Sequence, residues 1–158
     1  MKTNHLMKPH PTPRNQAWAI DFARLDLDRR PLVMMVIDVY THRPLSATVS
    51  LPDAEDVAPA LGRLVRRSGC PDQIWIDNHY EFRFGAALKS WAEQHRVSIT
   101  CVPMWLPQMK SLAELTLRDL GAFLRDKHFP TLIELGHGIE RWRQSYVAAR
   151  SIFDNANQ

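Results

Sequence analysis

The nine residues Leu32 to Tyr40 contain a single charged side chain, Asp38. A continuous apolar run of this length is the kind found in a central β-strand, and it commits the chain to a sheet with neighbours on either side. Upstream, Trp18, Ile20 and Phe22 alternate with Ala19, Asp21 and Ala23 from Ala17 onward, the period of two that a strand requires. A polar break, Asp26 to Pro31, separates these two runs, and Thr41 to Pro44 separates the second from a third, Leu45 to Leu51. Connections this short make the three strands an antiparallel meander.

Beyond it the period changes. Pro52 and Asp53 open a helix with Val57, Leu61, Leu64 and Val65 on one face, in which Pro59 imposes a bend or a later start. Gly69 and Pro71 end it, and Gln73 to Ile76 is a brief strand that delivers Asp77 at its end. Glu81 to His95 reads as a helix with Phe84, Leu88 and Trp91 on one stripe, followed by a strand from Val97 to Val102 and an irregular segment from Pro103 to Lys110. Ser111 to Asp126 is a helix with Ala113, Leu117, Leu120 and Leu124 inward, placing Glu114, Arg118 and Arg125 on the opposite stripe. The last helix, Thr131 to Arg150, is buried through Leu135, Ile139, Trp142 and Tyr146, with Gly136 and Gly138 weakening its start. The order is three strands, helix, strand, helix, strand, two helices.

At 158 residues this is one α/β domain, with residues 1–15 as a flexible arm, 16–150 as the core and 151–158 as a tail. Twenty Lys and Arg against seventeen Asp and Glu leave a net charge of +3, too little to hold DNA by bulk electrostatics, so any nucleic-acid contact is local. Three helical sets offer such contacts or merely solvated faces: Arg63, Arg66 and Arg67; Arg118, Arg125 and Lys127; Arg141, Arg143 and Arg150. The cysteines, Cys70 and Cys101, are too few for a disulfide scaffold or a structural zinc site, which fits a reducing cytoplasm. No run is long and apolar enough for a membrane span, and residues 1–15 lack the apolar centre of a signal peptide.

Three acids stand in unusual settings: Asp21 inside an apolar strand, Asp77 at a strand end, Glu114 opening a helix. Phosphodiester chemistry with Mg²⁺ or Mn²⁺ requires such carboxylates to converge from different elements, because hard cations take oxygen ligands and keep positions open for phosphate and water. Each acid also has a plainer reading. Asn78 and Glu81 have the spacing of a capping box that follows Asp77, Ser111 and Glu114 have the same spacing, and Asp21 suits a solvent-facing strand position.

The local sequences resemble the catalytic core of bacterial insertion-sequence transposases and retroviral-type integrases, the acid-triad branch of the ribonuclease-H-like superfamily. Asn15 to Phe22, with Trp18 three before Asp21, resembles the family's first strand, and Val36 to Arg43 its second hairpin. Asp77-Asn78-His79-Tyr80-Glu81-Phe82 is similar to Asp-Asn-Gly-x-Glu-Phe, and Pro107 to Glu114 to Pro-Gln-x-x-Gly-x-x-Glu. Trp142, Tyr146 and Arg150 resemble the Trp, Tyr and Arg of the insertion-sequence tail motif. The resemblance implies a five-stranded mixed sheet, three antiparallel strands then two parallel to the first, with helices on both faces. It also implies Asp21, Asp77 and Glu114 as catalytic and metal-holding acids and DNA as substrate.

The same resemblance implies two Mg²⁺ (or Mn²⁺) ions roughly 3.5–4 Å apart, with Asp21 touching both. From their places beside Glu114, Lys110 and Arg118 are the candidate DNA contacts, the alternative for Arg118 being an i, i+4 partner of Glu114. A homodimer and a separate DNA-end-binding subunit or domain are its expected partners. Departures are His79 and Ser111 where the family has Gly, Val147 where it has Asn, and no attached DNA-binding module. These departures fit an alternative, a catalytically idle nucleic-acid-binding or dimerising remnant. A general ribonuclease-H-type nuclease is a third reading, against which the Pro-Gln spacing before Glu114 speaks.

Overall fold

In the computed structural model, residues 13–28, 30–50, 57–102 and 107–156 are described, with side chains given except at 50, 78–85, 102, 107–113 and 153–156. The elements are β1 (Ala17–Arg24), β2 (Leu32–Asp38), β3 (Pro44–Ser50), α1 (Val57–Ser68), β4 (Gln73–Asp77), α2 (Asn78–His95), β5 (Ser98–Val102), α3 (Pro107–Leu124) and α4 (Leu132–Ala156). Their order is the expected one. The arm at 1–12, the helix opening at Pro52 and Asp53, and Met104, Trp105 and Leu106 lie outside the described residues.

The sheet runs β3-β2-β1-β4-β5. β1–β2 and β2–β3 are antiparallel, whereas β1–β4 and β4–β5 are parallel, joined by helical crossovers. β2 lies in the middle of the meander and is buried along its whole length, because helices cover both of its faces. On one face Trp18, Ile20 and Phe22 join Met34, Val36, Ile74 and Ile76 beneath α1 and α2. On the other, Val33, Met35 and Ile37 meet Leu120 and Leu124 of α3 and Leu135, Ile139 and Trp142 of α4. Each fully buried aliphatic or aromatic side chain here contributes roughly 1.5–3 kcal/mol of transfer free energy, before the entropy of ordering it is set against that gain. Among the described residues no helix is long and apolar enough to cross a membrane.

Local chemistry sets the element ends. Gly69, at φ 82°, closes α1 with its N–H on the Val65 carbonyl at 2.9 Å. Arg96 closes α2 at φ 57°, an unusual conformation for a residue with a Cβ, while Val97 N–H bonds the Ala92 carbonyl at 2.9 Å. Thr131 and Glu134 form a reciprocal capping box on α4: Glu134 N–H donates to Thr131 Oγ1 (3.1 Å), and Thr131 N–H to Glu134 Oε2 (3.0 Å). That cap offsets the glycines in the first turns of α4. Gly138 has a packing role as well, since a Cβ there would lie 2.5 Å from a Phe129 ring carbon.

Three helix bounds differ from the sequence reading by three residues or more. α3 begins at Pro107 rather than Ser111, so the segment read as irregular is helical over its last four residues. Proline suits the first helical position, where its missing N–H has no intrahelical partner to lose. Glu114 is therefore two turns into α3, and the Ser111–Glu114 capping reading falls. α2 begins at Asn78 rather than Glu81, which leaves Asp77 directly before its first residue. α4 continues to Ala156, six residues past the expected end.

Candidate active site

Strand register brings the two aspartates together. Ile20 of β1 stands beside Ile76 of β4 in a parallel pair, so one residue further along both strands Asp21 stands beside Asp77. Ile20 and Ile76 point under α1 and α2; by the alternation of strand side chains, Asp21 and Asp77 point to the opposite face, the one crossed by α3 and α4. Met35 pairs with Asp21 on its other side. Both carboxyl groups are half-buried at this place on the sheet.

Burial raises the Asp21 pKa above the ordinary carboxylate value, and the negative charge of Asp77 raises it further. A hydrogen bond from Phe22 N–H to Asp21 Oδ1 at 2.8 Å acts the other way. The arrangement is one in which two hard oxygen donors repel each other in a half-desolvated recess, and a divalent cation would relieve that repulsion.

Glu114 is carried by the helix that crosses this face: α3 touches β1 and buries Leu120 and Leu124 in the cluster that holds Val33, Met35 and Ile37 of β2. Glu114 itself is exposed, as are Arg118 and Arg125 on the same stripe. Among the described residues no three His, Cys, Asp or Glu side chains gather into a group that could hold a metal ion. The structure therefore pairs Asp21 with Asp77 and leaves Glu114 on the neighbouring helix, outside the pair. Lys110 lies in the first turn of α3, and its side chain is outside the described residues.

Of the basic groups, several have structural work. Arg67 donates to the Leu45 carbonyl at 2.6 Å, and Arg143 clasps Glu140 at 2.6 Å while reaching the Pro44 carbonyl at 3.3 Å. Lys127 bonds the Phe123 carbonyl, and Arg150 donates to Tyr146 Oη at 2.9 Å. Arg63, Arg66, Arg118, Arg125 and Arg141 are exposed.

Two polar residues to which the sequence reading gave no role hold the scaffold. Asp38, 1% exposed, accepts N–H bonds from Asn15 (2.6 Å) and Thr41 (2.7 Å), tying the entrance of β1 to the β2–β3 turn. An Asp followed three residues later by Thr is a turn signal that could have marked it. Asp119 accepts the Trp142 indole N–H at 2.6 Å across α3 and α4. No local signal announces that bond, since its partner is 23 residues away.

No protein-family model matches the sequence, and no curated protein matches it. Its structure is similar to the crystal structure of the catalytic core domain of BIV integrase, with a TM-score of 0.64 and 17% identity, over 83% of this chain and 82% of that one. At such identity the likeness speaks for architecture: the chain has the ribonuclease-H-like fold of an integrase catalytic core.

Proposed function

We propose that the chain is the catalytic core of a divalent-metal-dependent polynucleotidyl transferase, cutting and joining DNA strands in the manner of an integrase or transposase. One observation carries this reading: two half-buried carboxylates, Asp21 and Asp77, side by side on adjacent parallel strands, on the face that α3 and its Glu114 cross. The donor set fits Mg²⁺ or Mn²⁺, because it is all carboxylate oxygen, and burial together with the neighbouring Asp77 charge already lifts the Asp21 pKa.

Two such ions, when bound, supply Lewis-acid stabilisation of the phosphate and an activated water or 3′-hydroxyl. The chain's own residues do the rest. Asp21 and Asp77 would hold the ions from the sheet, and Glu114, on the helix that crosses the same face, would complete the set. Arg118, one helical turn beyond Glu114, and Lys110, one turn before it, hold the DNA backbone in place for in-line displacement. DNA is the proposed substrate, and a homodimer, with a separate end-binding subunit or domain, is the proposed assembly.

A second reading, a catalytically idle DNA-binding or dimerising remnant, draws on the position of Glu114 outside the aspartate pair. Calorimetric titration with Mn²⁺ and a strand-cleavage assay on short DNA duplexes separate the two. The transferase reading expects Mn²⁺ binding and cleavage that both vanish in Asp21→Asn. Indifference of the wild-type chain to millimolar Mn²⁺ sinks it in favour of the remnant.

A further inference from the structure

α3 is held to the core through part of its described length. Thr116, Leu120 and Leu124 are buried and Leu117 and Phe123 are partly so, whereas Glu114 and Leu115 are exposed. Among its described side chains α3 is thus held to the core from Thr116 to Leu124, and Glu114 lies just before that stretch. The Asp119–Trp142 bond lies within this held stretch. Trp142 is 2% exposed and wedged among the residues beneath α4, so the direction of its N–H is fixed by the core and not by solvent.

Asp119 lies five residues after Glu114, about 7.5 Å along the helix and about 140° around it. Asp119 faces α4, which packs on β3, while α3 packs on β1. With the sheet order β3-β2-β1-β4-β5, the flank of α3 turned away from α4 is the flank toward β4, the strand of Asp77. Rotating α3 about its axis would move Glu114 off that flank, and the indole bond opposes this rotation.

We infer that Asp119 is a positioning residue: by accepting the Trp142 N–H it sets the rotation of α3 and so keeps Glu114 on the flank of the helix turned toward the strand of Asp77. The inference rests on the metal-dependent reading above. Mn²⁺ affinity, measured by calorimetry on variants first shown to be folded by thermal melting, tests it. Asp119→Leu and Trp142→Phe should each weaken Mn²⁺ binding about tenfold, as loss of an orienting partner of a metal ligand does. Asp119→Asn, whose Oδ1 still accepts, should restore it. In a Glu114→Gln background Asp119→Leu should have no further effect, because the two act through one group.

Unchanged affinity in Asp119→Leu and Trp142→Phe overturns the inference while leaving the aspartate pair standing. An Asp119→Asn variant as weak as Asp119→Leu overturns it too, by showing that charge and not the bond is what matters. If the wild-type chain shows no Mn²⁺ binding that depends on Asp21, the transferase reading fails first and this inference falls with it.

Discussion

Asp21 bears a cost that only a bound cation or a proton removes. Its pKa is raised, so the folded state binds a proton more readily than the unfolded chain does across the interval above the ordinary aspartate value. This group's contribution to stability therefore falls as pH rises through that interval and remains low at neutral pH. Asp21→Asn should raise the stability of the metal-free protein at pH 7, by up to about 1 kcal/mol in chemical denaturation, and flatten this part of the pH profile. A loss of stability on that substitution would contradict the electrostatic account of the pair. At Gly138 the expectation runs the other way: Gly138→Ala drives a methyl group into the Phe129 ring and should cost about 1–3 kcal/mol. Strand alternation made the place of Asp21 legible in the sequence. Asp38 and Asp119 were given no role, because each is explained by a hydrogen-bond partner that the fold brings to it.

Helix ends show how local chemistry and tertiary context divide the work. The capping box at Thr131 lets α4 start despite Gly136 and Gly138; Thr131→Ala should cost about 1 kcal/mol in a denaturant melt. α2 ends on Arg96 in a left-handed conformation, where Arg96→Gly should be neutral or stabilising by up to about 1 kcal/mol, the relief of Cβ strain being partly offset by a freer unfolded chain. The starts of α2 and α3 were misplaced by three and four residues for one reason. Each carries a Ser or Asn with Glu three residues on, which looks like a cap, but helix precedes the signal at Ser111 and already includes Asn78. For α3 the error matters chemically, since it moved Glu114 from a helix terminus to a position two turns in, where rotation of the helix decides what the side chain can reach.

On the scale of the whole molecule, a sheet covered on both faces explains why β2 is apolar along most of its length and why β4 carries three buried apolar residues in a row. Periodicity alone was therefore enough to give the order of elements, and the resemblance supplied the strand pairing that coordinates then bore out. The placement of cations was less legible: Arg67 and Arg143 read as free helix-face charges, yet both reach carbonyls at the start of β3. With a net charge of only +3, DNA affinity should rest on a few contacts. Arg118→Ala is expected to weaken duplex binding and to lower the salt dependence of log K by about one ion, a slope read from titrations at several salt concentrations. A slope equal to that of the wild type would remove Arg118 from the DNA surface. The most direct measurement is anomalous diffraction from a crystal soaked in Mn²⁺. The account predicts a peak between Asp21 and Asp77, absent in Asp21→Asn; a crystal that takes up Mn²⁺ elsewhere while these two carboxylates stay bare would contradict it.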